Sequence, residues 1–140
     1  MPKPVPDTGH PFDDLVALMA TLRNPDGGCP WDLEQSYASL RKYVLEEAQE
    51  VVDAIDKGDK EELMGELGDL MFEAVFLAQL LSEEGLYTIN DSLVHMKEKM
   101  VRRHPHVFGE GAAETADDVV RNWNEIKAQE RAEKAARQKG

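Results

Sequence analysis

The sequence predicts an all-α fold, a bundle of about five helices. Apolar residues recur at helical spacing through most of the chain, and turn-forming Gly and Pro residues separate these segments. No segment alternates apolar and polar residues as a strand does. A length of 140 residues suits one domain with its own core. We place that domain at residues 11–127, between an arm at 1–10 and a tail at 128–140.

The first two helices follow from apolar spacing and turn residues. Residues 1–10 contain three prolines, so a flexible arm is expected. An apolar pattern predicts the first helix at 12–22, and an Asn-Pro-Asp-Gly-Gly turn ends it. Asp32 with Gln35 resembles a capping box, and the second helix is predicted to run from about Leu33 or Ser36 to Lys57.

The third helix begins just after Gly58, the expected stop of the second. Asp59 with Glu62 predicts a second capping box at its start, and the helix is expected to run to about Glu84. The second and third helices therefore form an antiparallel pair joined by a very short turn.

Two further helices complete the predicted bundle. Asn90 is expected to cap a fourth helix at 91–103, which a His-Pro step ends. Thr115 with Asp118 predicts the cap of the last helix. From residue 128 this helix has almost no apolar face, so a frayed, charged end is expected.

The antiparallel pair carries two acidic pairs, Glu47/Glu50 and Glu66/Asp69, each spaced three residues apart on one helix face. Glu50 and Glu66 both lie eight residues from Gly58, and Glu47 and Asp69 both lie eleven. The four carboxylates therefore become level when the helices fold back on each other. Two like charges 4 Å apart repel by about 4 kcal/mol near a protein surface, so the group needs a cation or protons.

The ligand type favours a hard cation at this place, because carboxylate oxygens suit Mg²⁺ or, as a substitute, Mn²⁺. A solvated acidic face is the alternative that the residues leave open. A ferritin-like di-iron site is disfavoured, because neither acidic pair belongs to an ExxH ligand motif.

A basic patch lies at the end of the fourth helix, at Lys97, Lys99, Arg102 and Arg103. Arg offers a bidentate fork to phosphate oxygens, and Lys offers a point charge. Two alternative explanations are favourable placement at a helix C-terminus and pairing with the acidic body of the chain. Trp123 could stack on a nucleotide base or pack in the core, and the sequence leaves both interpretations open.

Charge and composition exclude several partners. The formal charge is −12, so the chain is expected to repel polynucleotides. No apolar run is long enough to cross a bilayer. Cys29 is the single cysteine, so no internal disulfide forms, and a cytoplasmic location is expected.

The acidic motifs and their flanking segments resemble the MazG family of nucleoside triphosphate pyrophosphohydrolases. The family signature is ExxE, a spacer and ExxD; here fifteen residues separate the motif ending at Glu50 from the motif starting at Glu66. The segments GCPWD, RRHPHVFG and WNEIKAQER add to the likeness, which covers nearly everything after the arm.

The resemblance implies a reaction and a role for each candidate residue. The reaction is Mg²⁺-dependent hydrolysis of an NTP or dNTP to the monophosphate and pyrophosphate, as part of nucleotide-pool housekeeping. Glu47, Glu50, Glu66 and Asp69 would ligate the metal. The implied catalytic residues are Glu46, which would orient or deprotonate water, and Lys99 and Arg103, which would stabilise phosphate charge. The implied substrate-binding residues are Arg102, Trp123 and Lys127.

The resemblance also implies a homodimer. Family members of this type are often two tandem copies with the site at a dimer-like helical interface, and this chain holds one copy. Tandem copies need not both be catalytic. A catalytically weak nucleotide-sensing or regulatory module is therefore the alternative hypothesis.

Overall fold

The computed structural model describes residues 2–139, and every regular element in that range is a helix. The helices are α1 (Pro11–Leu22), α2 (Pro30–Leu33), α3 (Tyr37–Lys57), α4 (Lys60–Glu83), α5 (Ile89–Arg103), α6 (Pro105–Phe108) and α7 (Ala116–Lys139). The all-α prediction is confirmed. Five long helices match the expected ones, and α2 and α6 are additional single turns. Each of these short helices begins at a proline, whose fixed φ favours a first helical turn.

The chain divides after Ile89 into two compact units, inside the domain predicted at 11–127. The first unit holds α1 to α4, and the second holds α5 from Asn90 onward, α6 and α7. Helix α7 continues through residue 128 to Lys139. Met1 of the predicted arm and Gly140 of the predicted tail lie outside the described residues. The flexibility of 1–10 and the fraying of 128–140 stay predictions.

Helix α4 is the centre of the first unit, because both α3 and α1 pack against it. Its residues Phe76 and Leu80 meet Met19 of α1 and Leu40 of α3 in the buried core. Phe76, Met19 and Leu40 are the largest fully buried side chains. Burial of such side chains is worth about 1.5–3 kcal/mol each, so this core fixes how α3 lies on α4.

The turn between α3 and α4 contains only Gly58 and Asp59. Gly58 has a φ of 70°, a left-handed conformation that favours glycine, and its N–H donates to the Ile55 carbonyl at 3.0 Å. The Asp59 carboxylate accepts the Glu62 N–H at 3.0 Å, which confirms Asp59 as the cap. The Asp59 N–H donates to the Ala54 carbonyl at 3.2 Å, so the reciprocal bond of the predicted capping box does not form. The short turn makes α3 and α4 an antiparallel pair with little freedom to slide.

Arg23 connects the segment after α1 to α4. Its Nη1 donates to the carbonyls of Asp32, Leu33 and Gln35 at 2.7, 3.1 and 3.3 Å, and its Nη2 donates to Glu83 at 2.6 Å. The hydrogen bond to Glu83 raises the pKa of Arg23. One guanidinium thus holds the irregular residues around α2 in place.

The predicted capping box at Asp32 and Gln35 is wrong. Asp32 lies inside α2 and is buried. Helix α3 instead begins after Ser36, whose hydroxyl accepts the Ser39 N–H at 3.2 Å while the Ser39 hydroxyl accepts the Ser36 N–H at 2.9 Å. The Gln35 side-chain amide is engaged with the Trp31 carbonyl at 2.8 Å, so it does not act as the box partner.

In the second unit the predicted helix ends are close to the observed ones. Helix α5 begins at Ile89, so Asn90 lies within the helix and does not precede it as a cap. The predicted capping box of the last helix is confirmed. The Asp118 N–H donates to the Thr115 hydroxyl at 3.1 Å, and the Thr115 N–H donates to the Asp118 carboxylate at 3.3 Å.

Within residues 2–139 no helix has both the length and the apolar character needed to span a membrane.

Substituting Phe76→Ala should destabilise the first unit by about 3–5 kcal/mol, because the buried ring leaves a cavity between α4, α1 and α3. Urea unfolding followed by circular dichroism measures the loss. Phe108→Ala removes the same ring where it is 64 % exposed and serves as the matched control. Similar losses in the two variants would contradict the assignment of Phe76 to the core.

Candidate metal centre and basic groove

The four predicted metal ligands come together on α3 and α4. One carboxylate oxygen from each of Glu47, Glu50, Glu66 and Asp69 lies within 4.8 Å of every other. Glu47 and Glu66 are half-buried, and Glu50 and Asp69 are exposed, so the group opens to solvent on one side. Equal spacing from Gly58 therefore does bring the two acidic pairs level.

Two of these carboxylates bind protons more readily than an ordinary glutamate. A hydrogen bond with Glu50, followed by burial and the charges of Glu50, Asp69 and Glu47, raises the pKa of Glu66 to about 7. Burial, followed by the charge of Glu50, raises the pKa of Glu47. A cation bound among the four oxygens would favour the charged forms and so compete with these protons.

Two buried oxygens support a cation at this place. Glu47 Oε2 and Glu66 Oε2 are buried and have no hydrogen-bond partner in the described chain. A buried acceptor without a partner is costly, and a metal ion satisfies it. An all-carboxylate set matches a hard divalent ion such as Mg²⁺ or Mn²⁺. The residues present fit such an ion.

Glu46, the predicted water-orienting residue, is exposed on α3 and lies outside the four-carboxylate group. Its role stays a prediction.

Two further acids near this group, Glu73 and Asp32, were not predicted as site residues. Glu73 is half-buried on α4, and burial, then the charges of Asp69 and Asp32, raise its pKa. Its Oε2 is buried without a hydrogen-bond partner in the described chain. Glu73 follows Asp69 by four residues and Glu66 by seven, so the helical repeat was a usable signal. No spacing rule pointed to Asp32, because it belongs to the segment held by Arg23.

The second unit groups the other predicted site residues. The Arg103 guanidinium lies over the Trp123 ring with Cζ 4.9 Å from the ring centroid, and the His104 ring lies edge-on to the same ring at 5.5 Å. This arrangement uses one face of the Trp123 indole for packing. Lys99, Arg102, Arg103 and Lys127 line a groove of about 450 Å³.

The groove is strongly basic. Seven of its lining residues are Lys or Arg and two are Glu, although the whole chain has a formal charge of −12. Arg102 and Arg103 are ion-paired with Glu130 of α7 at 2.6 and 2.8 Å. Within residues 2–139 no other Lys or Arg of the groove has an ion pair. Such a surplus of positive charge favours a phosphate-bearing ligand.

The region that contains the acidic pairs matches a known protein family. Residues 35–108 match the family model described as the MazG nucleotide pyrophosphohydrolase domain, which is just over half of the chain.

Curated relatives agree with this match. The chain is 49% identical over 124 residues to a nucleoside triphosphate pyrophosphohydrolase of Escherichia coli strain K12, covering 89% of this chain and 47% of that protein. It is 41% identical over 128 residues to the nucleoside triphosphate pyrophosphohydrolase/pyrophosphatase MazG of Thermotoga maritima, covering 91% of this chain and 48% of that protein. The chain thus spans about half the length of these relatives.

A solved structure shares the fold. The crystal structure of a mazG-related protein from Thermotoga maritima aligns with a TM-score of 0.67 and 26% identity, covering 83% of this chain and 98% of that one.

The raised pKa of Glu66 predicts how metal and pH act together. Without a divalent cation, the proton on Glu66 stabilises the fold below its ordinary pKa of 4.5, and this contribution is lost as the pH rises through about 7. The melting temperature in EDTA should therefore fall between about pH 5 and pH 8. Added Mg²⁺ should raise it more at pH 8 than at pH 5.5, because at low pH the ion must displace the proton.

Thermal melting with and without Mg²⁺ at both pH values tests this expectation. Glu66→Gln removes the titrating group, so the melting temperature of the variant in EDTA should change less between about pH 5 and pH 8 than that of the wild type. Equal Mg²⁺ shifts at the two pH values would show that Glu66 does not hold the displaced proton.

Proposed function

This chain belongs to the MazG nucleotide pyrophosphohydrolase family, and on that premise we propose that it hydrolyses nucleoside triphosphates, with ribose or deoxyribose, to monophosphates and pyrophosphate. The observation that carries the proposal is the convergence of four carboxylate oxygens within 4.8 Å on α3 and α4. The names of the curated relatives support the same substrate class.

Glu47, Glu50, Glu66 and Asp69 are the proposed ligands of Mg²⁺, which Mn²⁺ could replace. When bound, the ion supplies positive charge that neutralises phosphate oxygens. The two unpartnered buried oxygens of Glu47 and Glu66 support this assignment.

In the proposed reaction, the oxygen of a water molecule adds to one phosphorus atom of the α–β anhydride, and the bond from that phosphorus to the bridging oxygen breaks. The departing phosphate group keeps the electron pair of that bond, and the products are the monophosphate and pyrophosphate. Glu46 orients the water and takes its proton; its position on α3, next to Glu47 in sequence, supports the role.

The basic groove is the proposed source of phosphate contacts. Lys99 and Arg103 stabilise charge as the anhydride bond breaks, and Arg102 and Lys127 bind the phosphates. Trp123 is proposed to contact the nucleoside with the part of its indole that Arg103 and His104 leave uncovered. Within residues 2–139 neither Lys99 nor Lys127 has an ion pair, which supports these roles.

We also propose that the chain forms a homodimer through α3 and α4. Each helix leaves an apolar stripe exposed, at Leu45, Val52 and Ile55 on α3 and at Met64, Leu67 and Met71 on α4. Apart from the adjacent backbone of α4 itself, no atom of residues 2–139 lies within 4 Å of where a Cβ of Gly65 or Gly68 would be, so another backbone can approach closely there. Exposed apolar surface of this kind is typical of interfaces.

Purified protein with Mg²⁺ and a panel of canonical and modified (d)NTPs should yield monophosphate and pyrophosphate, separated by ion-exchange chromatography. Glu50→Gln and Asp69→Asn should each lower turnover by more than about 100-fold. Loss of a residue that only hydrogen-bonds to a metal ligand lowers activity by about 10–100-fold, and loss of a ligand itself should lower it further. The helical circular dichroism spectrum should survive in both.

Asp56→Asn is the matched control, since Asp56 is exposed on α3 and lies outside the four-carboxylate group. Release of the nucleoside diphosphate and orthophosphate would refute the proposed bond cleavage. Nucleotide binding by calorimetry without turnover would instead support the alternative, a nucleotide-sensing or regulatory module.

Leu45→Glu should convert the proposed dimer to a monomer, because it places a charge in the apolar stripe at a side chain that is 71 % exposed. Sedimentation velocity measures the change. Val107→Glu alters an apolar side chain that is 62 % exposed in the second unit and should leave the dimer intact. A monomeric wild type would refute the proposal.

A further inference from the structure

Glu130 of α7 lies three residues beyond Lys127 and holds two arginines at once. Its Oε1 accepts the Arg102 Nε–H at 2.6 Å, and its Oε2 accepts Nε–H and Nη2–H of Arg103 at 3.2 and 2.8 Å. The side chains of Arg103 and Glu130 are only 14 % and 22 % exposed. Hydrogen bonds from Arg103 and then from Arg102 lower the pKa of Glu130 to about 2, so its carboxylate stays charged at neutral pH.

The way Glu130 binds Arg103 leaves half of the guanidinium available. A guanidinium has two edges that can each present a pair of N–H groups to an oxyanion. Glu130 occupies the edge formed by Nε and Nη2, and Nη1 has no hydrogen-bond partner within residues 2–139. The Trp123 ring, 4.9 Å from Arg103 Cζ, restrains the plane of the group. The edge containing Nη1 can therefore bind a phosphate while Glu130 stays in place.

We propose that Glu130 is a positioning residue that fixes Arg102 and Arg103 so that their unoccupied N–H groups bind the phosphates of the substrate. The inference rests on the proposed function in one respect, the assignment of these two arginines to phosphate. Holding a long, flexible side chain before the ligand arrives lowers the entropy lost on binding and fixes the direction of its hydrogen bonds.

The charge of Glu130 by itself would weaken the attraction of an anion, so its benefit must come from geometry. The groove offers a direct comparison, because its other carboxylate, Glu133, has no ion pair within residues 2–139. Removing the negative charge of Glu130 or that of Glu133 should strengthen the long-range attraction between the groove and an anion by about the same amount. Only removal of Glu130 releases the two arginines.

The test measures binding of inorganic tripolyphosphate in EDTA by calorimetry, so that neither metal nor turnover is needed. Glu130→Gln should weaken binding about 10-fold, whereas Glu133→Gln should leave it unchanged or strengthen it. Glu130→Asp keeps the charge on a shorter arm and should restore part of the loss. In turnover assays, Glu130→Gln should lower kcat/KM by about 10- to 100-fold, the scale expected when a substrate contact is misplaced by about 1 Å.

Unchanged or tighter tripolyphosphate binding by Glu130→Gln would overturn the proposal and make Glu130 a competitor of phosphate. Circular dichroism checks that each variant folds; if Glu130→Gln does not, wild-type affinity in Glu130→Asp is the overturning result. If tripolyphosphate binding depends on Glu130 as expected but the wild type releases no pyrophosphate from any nucleotide, the proposed hydrolysis alone is refuted. A wild type that hydrolyses nucleotides without binding tripolyphosphate would refute the positioning role alone.

Discussion

Repulsion among four carboxylates is the constraint on which the first unit depends. Two like charges 4 Å apart repel by about 4 kcal/mol near a protein surface, and this group holds its oxygens within 4.8 Å. The packing of α3 on α4 opposes that repulsion, with Leu40 and Phe76 buried between the helices. The fold thus keeps the acids together, and protons or a cation reduce the cost. A divalent ion bound among these oxygens would remove most of that cost, which is the physical basis of the proposed metal site.

The second unit handles charge in the opposite way. Its basic groove gathers seven Lys or Arg residues and balances two of them with one shared carboxylate, Glu130. An unpartnered arginine samples many rotamers, whereas Arg103 is restrained by Glu130 and by the Trp123 ring. In the acidic group, repulsion would favour the binding of a cation. In the basic groove, the shared carboxylate already pairs with the two arginines that it restrains.

The sequence predicted the parts that depend on local patterns. Helical periodicity gave the long helices, and the spacing of Glu50 and Glu66 from Gly58 gave the convergence of the acids. It failed at Asp32, because a tertiary contact from Arg23 decides the conformation of that segment. Glu130 was missed for a related reason: its partners lie 28 and 27 residues away, and no periodicity connects them.

The two-residue turn at Gly58 also determines which changes of length the hairpin tolerates. Each α-helical residue advances the chain by about 1.5 Å and rotates it by about 100°. A single insertion or deletion between Glu50 and the turn would rotate one acidic pair away from the other while every residue type stayed the same. Substitutions on the exposed faces of α3 and α4 leave that alignment intact. Substitutions are therefore expected to be tolerated in this hairpin, whereas the number of residues between Glu50 and Glu66 is expected to stay at fifteen.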